Sequence, residues 1–226
     1  LDPENWRLRC KLGKALSRVG KNEEAIAQLF ESLVLNEKNP KENLEARKEI
    51  AAILLKQGNY DEAGGQLKQV LELEPDNIDV RGNYAICLDQ LGFSELACEE
   101  MNLVARSRPN STTAFYNLGN ALYKKEDYPR AILAFKRAIG LNPDNYLAIA
   151  ALAKSHFRMG EAEKAIFVYN QALKLNPKNH YAYLGLAEVY ENLGDTGKAV
   201  EAYKKAIQIN PSDPQSKAAL AKLLHN

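Results

Sequence analysis

Six alanines recur along this chain of 226 residues at fixed steps: Ala25, Ala63, Ala97, Ala131, Ala165 and Ala199. The first step is 38 residues and each of the other four is 34. A second series of small residues keeps the same register through Gly13, Ala51, Ala85, Gly119, Ala153 and Ala187. A third, at Glu37, Pro75, Pro109, Pro143, Pro177 and Pro211, is proline in five of its six copies. Between these landmarks lie two runs of apolar residues spaced by three and four. In the copy Thr112–Asn145, Phe115, Leu118 and Leu122 make the first run; Ala131, Phe135 and Ala138 make the second. That is the 3.6-residue period of two amphipathic helices joined by a short polar turn. Small residues at fixed places let helix axes approach closely, and proline closes each copy because it cannot continue a helix. A hairpin of this kind is apolar on more than one face and cannot bury itself alone.

A helix–turn–helix period of 34 residues with this pattern of small residues and closing prolines resembles the tetratricopeptide repeat (TPR). The resemblance covers nearly the whole chain, with copies at residues 6–39, 44–77, 78–111, 112–145, 146–179 and 180–213. Residues 214–226 read as a final helix, either a cap or a truncated seventh repeat, and residues 1–5 read as the tail of a preceding repeat, with Pro3 in the closing slot. The expected fold is all-α: a right-handed superhelical α-solenoid in which each hairpin seals the next. As the family implies, the first helices line a concave surface and the second helices face outward. The chain is then a single array, expected to be a piece of a longer one.

Composition narrows the function classes. There are 30 basic and 29 acidic residues, so the net charge of +1 offers no overall field for nucleic acid or an anionic membrane. No apolar run is long enough to span a membrane, and no signal peptide opens the chain, which sets a cytoplasmic expectation. Cys10, Cys87 and Cys98 are odd in number and lack metal-type spacing; Cys87 and Cys98 fall in apolar slots and read as reduced, buried thiols. The sequon Asn110-Ser111-Thr112 matters only in a secreted protein.

Two irregularities interrupt the period. Repeat one has Glu37 where proline is expected, and Asn39-Pro40-Lys41-Glu42 follows it. That quartet reads as an N-cap, a proline at the first helical position and a capping glutamate. The four extra residues, about one helical turn, therefore predict that the first helix of repeat two starts near Pro40. The second irregularity is Gly64-Gly65 inside a helix, which close packing or local weakness would equally explain.

No catalytic or cofactor signature emerges. Gly13-Lys14 lacks the rest of a phosphate loop. His156, His180 and His225 lie far apart, and His156 replaces a core leucine, so it reads as a buried, hydrogen-bonded histidine. The chain is read as non-enzymatic, without metal or cofactor.

The resemblance to TPR proteins directs attention to particular positions of the first helices. Carried over residue by residue, they give Arg7, Lys11, Lys14 and Arg18 in repeat one, and Lys48, Glu49 and Lys56 in repeat two. Asn83 and Asn117 share the sixth position of consecutive repeats, with Asn120 one turn on. An asparagine amide both donates and accepts, so such a row can pair with an extended peptide backbone. Beside it lie the aromatics Tyr116, Tyr123, Phe157 and Tyr181, the cations Lys124, Lys154 and Arg158, and Glu188. Aromatics and arginine are enriched where proteins bind one another. The alternative is that the rings pack between helices and the charges form a solvated rim. The carboxylate clamp of chaperone-binding TPR proteins is matched at only two of five places, Lys48 and Asn83, with Ala52, Thr113 and Asn117 in the others. The expected function is a scaffold binding a protein or peptide partner. Self-association through the array ends or convex face, and service as the targeting arm of a larger enzyme, are the alternatives.

Overall fold

The computed structural model describes residues 5–225. It consists of thirteen α-helices, with no strand among the described residues. They are α1 (Trp6–Arg18), α2 (Asn22–Leu35), α3 (Leu44–Gln57), α4 (Tyr60–Leu73), α5 (Ile78–Gln90), α6 (Ser94–Ser107), α7 (Thr112–Lys124), α8 (Tyr128–Leu141), α9 (Tyr146–Arg158), α10 (Ala162–Leu175), α11 (His180–Asn192), α12 (Thr196–Ile209) and α13 (Pro214–His225). Odd-numbered helices are the first helices of the repeats, and α2 to α12 with even numbers are the second. The expected repeat tail at Leu1–Glu4 lies outside the described residues.

Local chemistry sets the helix ends. Two residues after Pro75, Pro109, Pro143 and Pro177, Asn77, Ser111, Asn145 and Asn179 cap the next first helix. Their side-chain oxygens accept the backbone N–H of Val80, Ala114, Ala148 and Ala182 at 3.1–3.2 Å. Such a cap is worth about 1 kcal/mol. The turn inside each hairpin depends on one left-handed residue. Gly20, Gly58, Gly92, Gly160 and Gly194 take φ between 76° and 86°; in repeat four Glu126 stands there with φ 61°.

The four extra residues do not extend a helix. Helix α3 begins at Leu44, and residues 40–43 form a turn closed by Glu42 N–H to Asn39 O (3.0 Å) and Asn43 N–H to Pro40 O (3.2 Å). Asparagines hold it in place of the expected early start. Asn36 Nδ2 donates to Asn43 Oδ1 (3.1 Å), Asn43 Nδ2 donates to the Asn36 carbonyl (3.0 Å), and Asn39 Nδ2 donates to Asn36 Oδ1 (2.9 Å). Asn36 and Asn43 are buried, so these bonds satisfy groups that water cannot reach. Asn43 precedes α3 but spends its side chain on Asn36 rather than on a cap.

The chain divides into two compact units, residues 1–107 and 108–226. In the first, α1 to α6 form three hairpins around a core that includes Leu29, Ile50, Leu67, Val70 and Cys87. Burial pushes the Cys87 thiol up to about 11, which keeps it protonated and a poor nucleophile at neutral pH. A side chain at Gly64 would touch Cys87, whereas Gly65 faces open space; packing explains one member of the pair and not the other. Along the first helices Lys14 pairs with Glu45 (3.0 Å) and Ser17 Oγ donates to Glu49 (2.6 Å), while Arg7 pairs with Glu42 of the inserted turn (3.5 Å).

In the second unit, α7 to α12 form three hairpins and α13 packs on α12. One buried second-helix slot, Leu29, Leu67 and Met101 in the first unit, becomes Phe135, Tyr169 and Tyr203 here. The larger rings require space. Gly119 lies against Phe135, and Gly185 on α11 lies so close to the Tyr169 ring that a Cβ would overlap it.

Two substitutions of opposite sign follow. Glu126→Gly removes a left-handed conformation that costs an L-residue about 1–2 kcal/mol, less the entropy glycine adds to the unfolded chain, so urea unfolding should show a gain of up to about 1 kcal/mol. Gly185→Ala forces Tyr169 to move within a packed interior and should lose about 1–3 kcal/mol. No change on Glu126→Gly, or a stabilising Gly185→Ala, would contradict these accounts.

Candidate functional site

The second unit brings together candidate residues from three successive first helices. Asn120, Lys154 and Glu188 occupy the same repeat position on α7, α9 and α11. Lys154 is exposed, and its Nζ lies 5.4 Å from the centroid of the Tyr123 ring. Arg158, one turn further along α9, interacts electrostatically with the Tyr123 hydroxyl. Glu188 is half-buried; Gln215 on α13 donates from Nε2 to its Oε1 at 2.8 Å, and Lys154 and Arg158 both act on it. Tyr123, Lys154, Arg158 and Glu188 thus form one mixed-charge cluster.

The rings divide between packing and surface. Tyr123 is half-buried, with its ring 5.3 Å from that of Tyr128 across the hairpin turn. Its hydroxyl is shut off from solvent and meets no partner at hydrogen-bond geometry among the described residues. Tyr116 is half-buried with its ring 6.0 Å from Phe135. Both tyrosines therefore serve their own hairpin as well as its surface. Phe157 is half-buried. Tyr181 is 62% exposed and stacks on the adjacent His180, their rings 3.8 Å apart. Asn117 and Asn120 are half-buried, Lys124 is exposed, and Asn83 stands exposed on α5 in the first unit.

Burial sets the electrostatics. It raises the Glu188 carboxyl above the ordinary carboxylate range, against the pull of Lys154 and Arg158. It likewise raises the Tyr123 hydroxyl. Tyr169 and Tyr203 are held neutral well above the usual tyrosine range, chiefly by burial and then by the carboxylates of Glu188 and Glu191 respectively. Tyr203 donates its hydroxyl to Glu191 Oε2 at 2.7 Å. Glu188 and Glu191 are therefore partly engaged within the protein, and so are Arg7, which pairs with Glu42 in the inserted turn, and Lys14, which pairs with Glu45 of repeat two. Lys48, half of the partial clamp match, pairs with Glu74 at 2.9 Å.

Sequence reasoning did not place Tyr169, Tyr203 or Gln215 beside the cluster. Hydroxyls in a slot filled elsewhere by Leu, Met and Phe were the available signal. His156 is buried and its Nδ1 pairs with Glu161, which Lys164 also contacts; this is the structural arrangement its core slot implies. Among the described residues no group of His, Cys, Asp and Glu is arranged to hold a metal, and no helix is long and apolar enough to cross a membrane.

Three tetratricopeptide repeat family models match the chain, one over residues 10–78 and 150–214, the others over 113–145 and 54–122. The chain belongs to the tetratricopeptide repeat family. Among solved structures, this TPR chain is similar to MamA at 27% identity, with a TM-score of 0.65 over 74% of this chain and 92% of that one. It is similar to YrrB, described as a TPR protein with an unusual peptide-binding site, at 19% identity, with a TM-score of 0.72 over 80% and 91%. It also resembles a chain of the APC/C hetero-tetramer Cut9–Hcn1 at 20% identity, with a TM-score of 0.69 over 99% of this chain and 43% of that one. At these identities the last two establish the TPR fold alone. No curated protein matches in sequence.

The Glu188 environment gives a pH-dependent prediction. A carboxyl raised by folding contributes stability at pH below its unfolded value and loses that contribution as pH rises through the folded one. Glu188→Gln keeps an acceptor for Gln215 but cannot ionise. The variant should be more stable than the parent in urea at neutral pH, and the gain should vanish below about pH 4, where the unfolded carboxyl is protonated. A variant less stable than the parent at neutral pH would mean that the ion pairs to Lys154 and Arg158 outweigh burial.

Proposed function

We propose that this TPR protein is a non-catalytic interaction scaffold whose second unit binds an extended peptide along the first helices α7, α9 and α11. The observation that carries this reading is the row Asn120, Lys154 and Glu188. One repeat position, on three successive helices, presents an amide, a cation and a carboxyl, each at least partly open to solvent. A core position would repeat an apolar side chain; a merely solvated one would have no reason to gather Tyr123 and Arg158 around it. Asn117, with Asn120, supplies donors and acceptors for a peptide backbone whatever its sequence. Lys154 and Arg158 favour an acidic side chain on the ligand, and the exposed Tyr181 ring offers apolar contact. Tyr116, Lys124 and Phe157 flank this row; Asn83 lies on the first unit and stands outside this proposal. YrrB supports the reading to the extent that the same fold carries a peptide-binding site there. Cys10, Cys87 and Cys98 form no disulfide among the described residues, as suits a reducing setting such as the cytoplasm.

The test is selection of displayed peptides on the full chain, followed by titration of the retained sequences. Asn120→Ala combined with Lys154→Gln should weaken the retained peptides by about tenfold or more, equivalent to about 1.4 kcal/mol, while thermal unfolding stays unchanged. Equal affinity for the parent and the variant would remove this surface as the binding site.

A further inference from the structure

On the second unit, a different surface has the makings of a second docking site. Between α10 and α12 lies an open groove of about 810 Å³. Its floor comes from α11, as Tyr183, Leu186 and Tyr190, and its rim carries Lys174, Lys204 and Lys205. Lys198, also on the rim, sits with its Nζ 5.3 Å from the Tyr190 ring centroid and pairs with Asp195 at 2.7 Å. Among the described residues Lys174, Lys204 and Lys205 make no ion pair, and Glu201 is the single acidic residue lining the groove. Two smaller depressions adjoin it. One, about 410 Å³, shares Lys174 and is floored by Ile149 and Leu152; the other, about 380 Å³, shares Tyr183 and Lys205 and adds Lys178.

The chemistry is specific in kind. Lysine stems extend over apolar surface while their ammonium groups stay in water. The groove therefore joins an apolar, aromatic floor to a cationic edge, and its size falls within the range of binding clefts. The neutral total of the sequence hides a bias: residues 108–226 carry 16 basic and 10 acidic side chains, whereas residues 1–107 carry 14 and 19. Charge complementarity thus selects the occupant. We propose that this lysine-rimmed groove docks an acidic segment of a partner protein, which lays an aromatic or aliphatic side chain on Tyr183, Leu186 and Tyr190. The site is separate from the row Asn120, Lys154 and Glu188, so it can be filled together with it.

The probe is a short fluorescein-labelled peptide of Glu and Asp with a central Phe-Leu pair, titrated against the full chain by anisotropy. Saturable binding is expected, weakening about tenfold or more in the combined Lys174→Gln, Lys204→Gln and Lys205→Gln variant and falling steeply with salt. Replacing Phe-Leu in the peptide by Ser-Ser should weaken it similarly; because the row on α7, α9 and α11 also favours acidic side chains, the lysine comparison is repeated in the Asn120→Ala/Lys154→Gln background, where the same loss is expected. These surface lysines touch no core, so an unaltered melting temperature separates lost binding from lost fold. The proposal is overturned if the peptide fails to bind or if the lysine variant binds it equally. It is also overturned if a single-stranded oligonucleotide displaces the peptide at lower concentration, which would make the groove a phosphate-binding surface. Sedimentation showing concentration-dependent dimers that the lysine variant abolishes would assign the groove to a second copy of the chain instead.

Discussion

Close approach of helices at residues without bulk is the constraint from which the architecture follows. Ala25, Ala63, Ala97, Ala131, Ala165 and Ala199 all have no solvent exposure, one on each second helix. Ala51, Ala85, Ala153 and Ala187 on the first helices are equally buried, and Gly13 and Gly119 take their place in repeats one and four. Any larger side chain there would push the two helices of a hairpin apart and open voids between them, because a protein interior tolerates little excess volume. Once the contact is fixed, the outer apolar residues of a hairpin are left uncovered, and within each unit they meet the next one.

Variation around this constraint is local. Glycine faces the buried second-helix slot at Gly13 for Leu29, at Gly119 for Phe135 and at Gly185 for Tyr169, while the slot itself changes from leucine to phenylalanine and tyrosine. The exchange has a chemical consequence that leucine would not have. Tyrosine brings a hydroxyl toward the first-helix surface, where Tyr203 reaches Glu191 and Tyr169 faces the charge of Glu188. Packing and surface electrostatics are therefore coupled in the second unit. The raised carboxyl of Glu188 follows from that closeness to the interior, since burial penalises the ionised form more than Lys154 and Arg158 restore it.

What could be read in advance was whatever repeats. The alanines, the closing prolines and the apolar spacing marked the helices, and His156 could be placed by the leucines it replaces. The left-handed turn residue was equally periodic, but Glu126 interrupts its row of glycines, and only the φ angle reveals that the backbone stays the same. Features that occur once were harder. A proline and a glutamate at helical spacing suit a helix start near Pro40, while the buried bonds between Asn36 and Asn43 that make a turn there instead involve residues seven apart with no pattern to announce them. Tyr169 and Gly185 are separated by sixteen positions, and each looks like an ordinary substitution until they are seen in contact. In the candidate site, Asn120, Lys154 and Glu188 could be gathered by register. That the rings of Tyr116 and Tyr123 lean on Phe135 and Tyr128 could not, because register says which helix a residue is on and not how deeply its ring sits.

Helix α11 shows how one repeat can serve two surfaces. Gly185 and Ala187 are buried and let neighbouring helices close on it. Glu188 and the exposed Tyr181 belong to the first-helix row, while Tyr183, Leu186 and Tyr190 floor the groove between α10 and α12. A helix turns about 100° per residue, so thirteen residues supply three such faces without conflict. The buried face is held to the repeat by packing. The other two are free to differ from copy to copy, and they have done so in different directions. Across the first-helix row, an amide, a cation and a carboxyl follow one another; along the outer groove, lysines accumulate with almost no acid to balance them. Filled as proposed, two surfaces of such unlike charge on one set of hairpins would hold two chemically distinct segments close together, which a single peptide groove would not achieve.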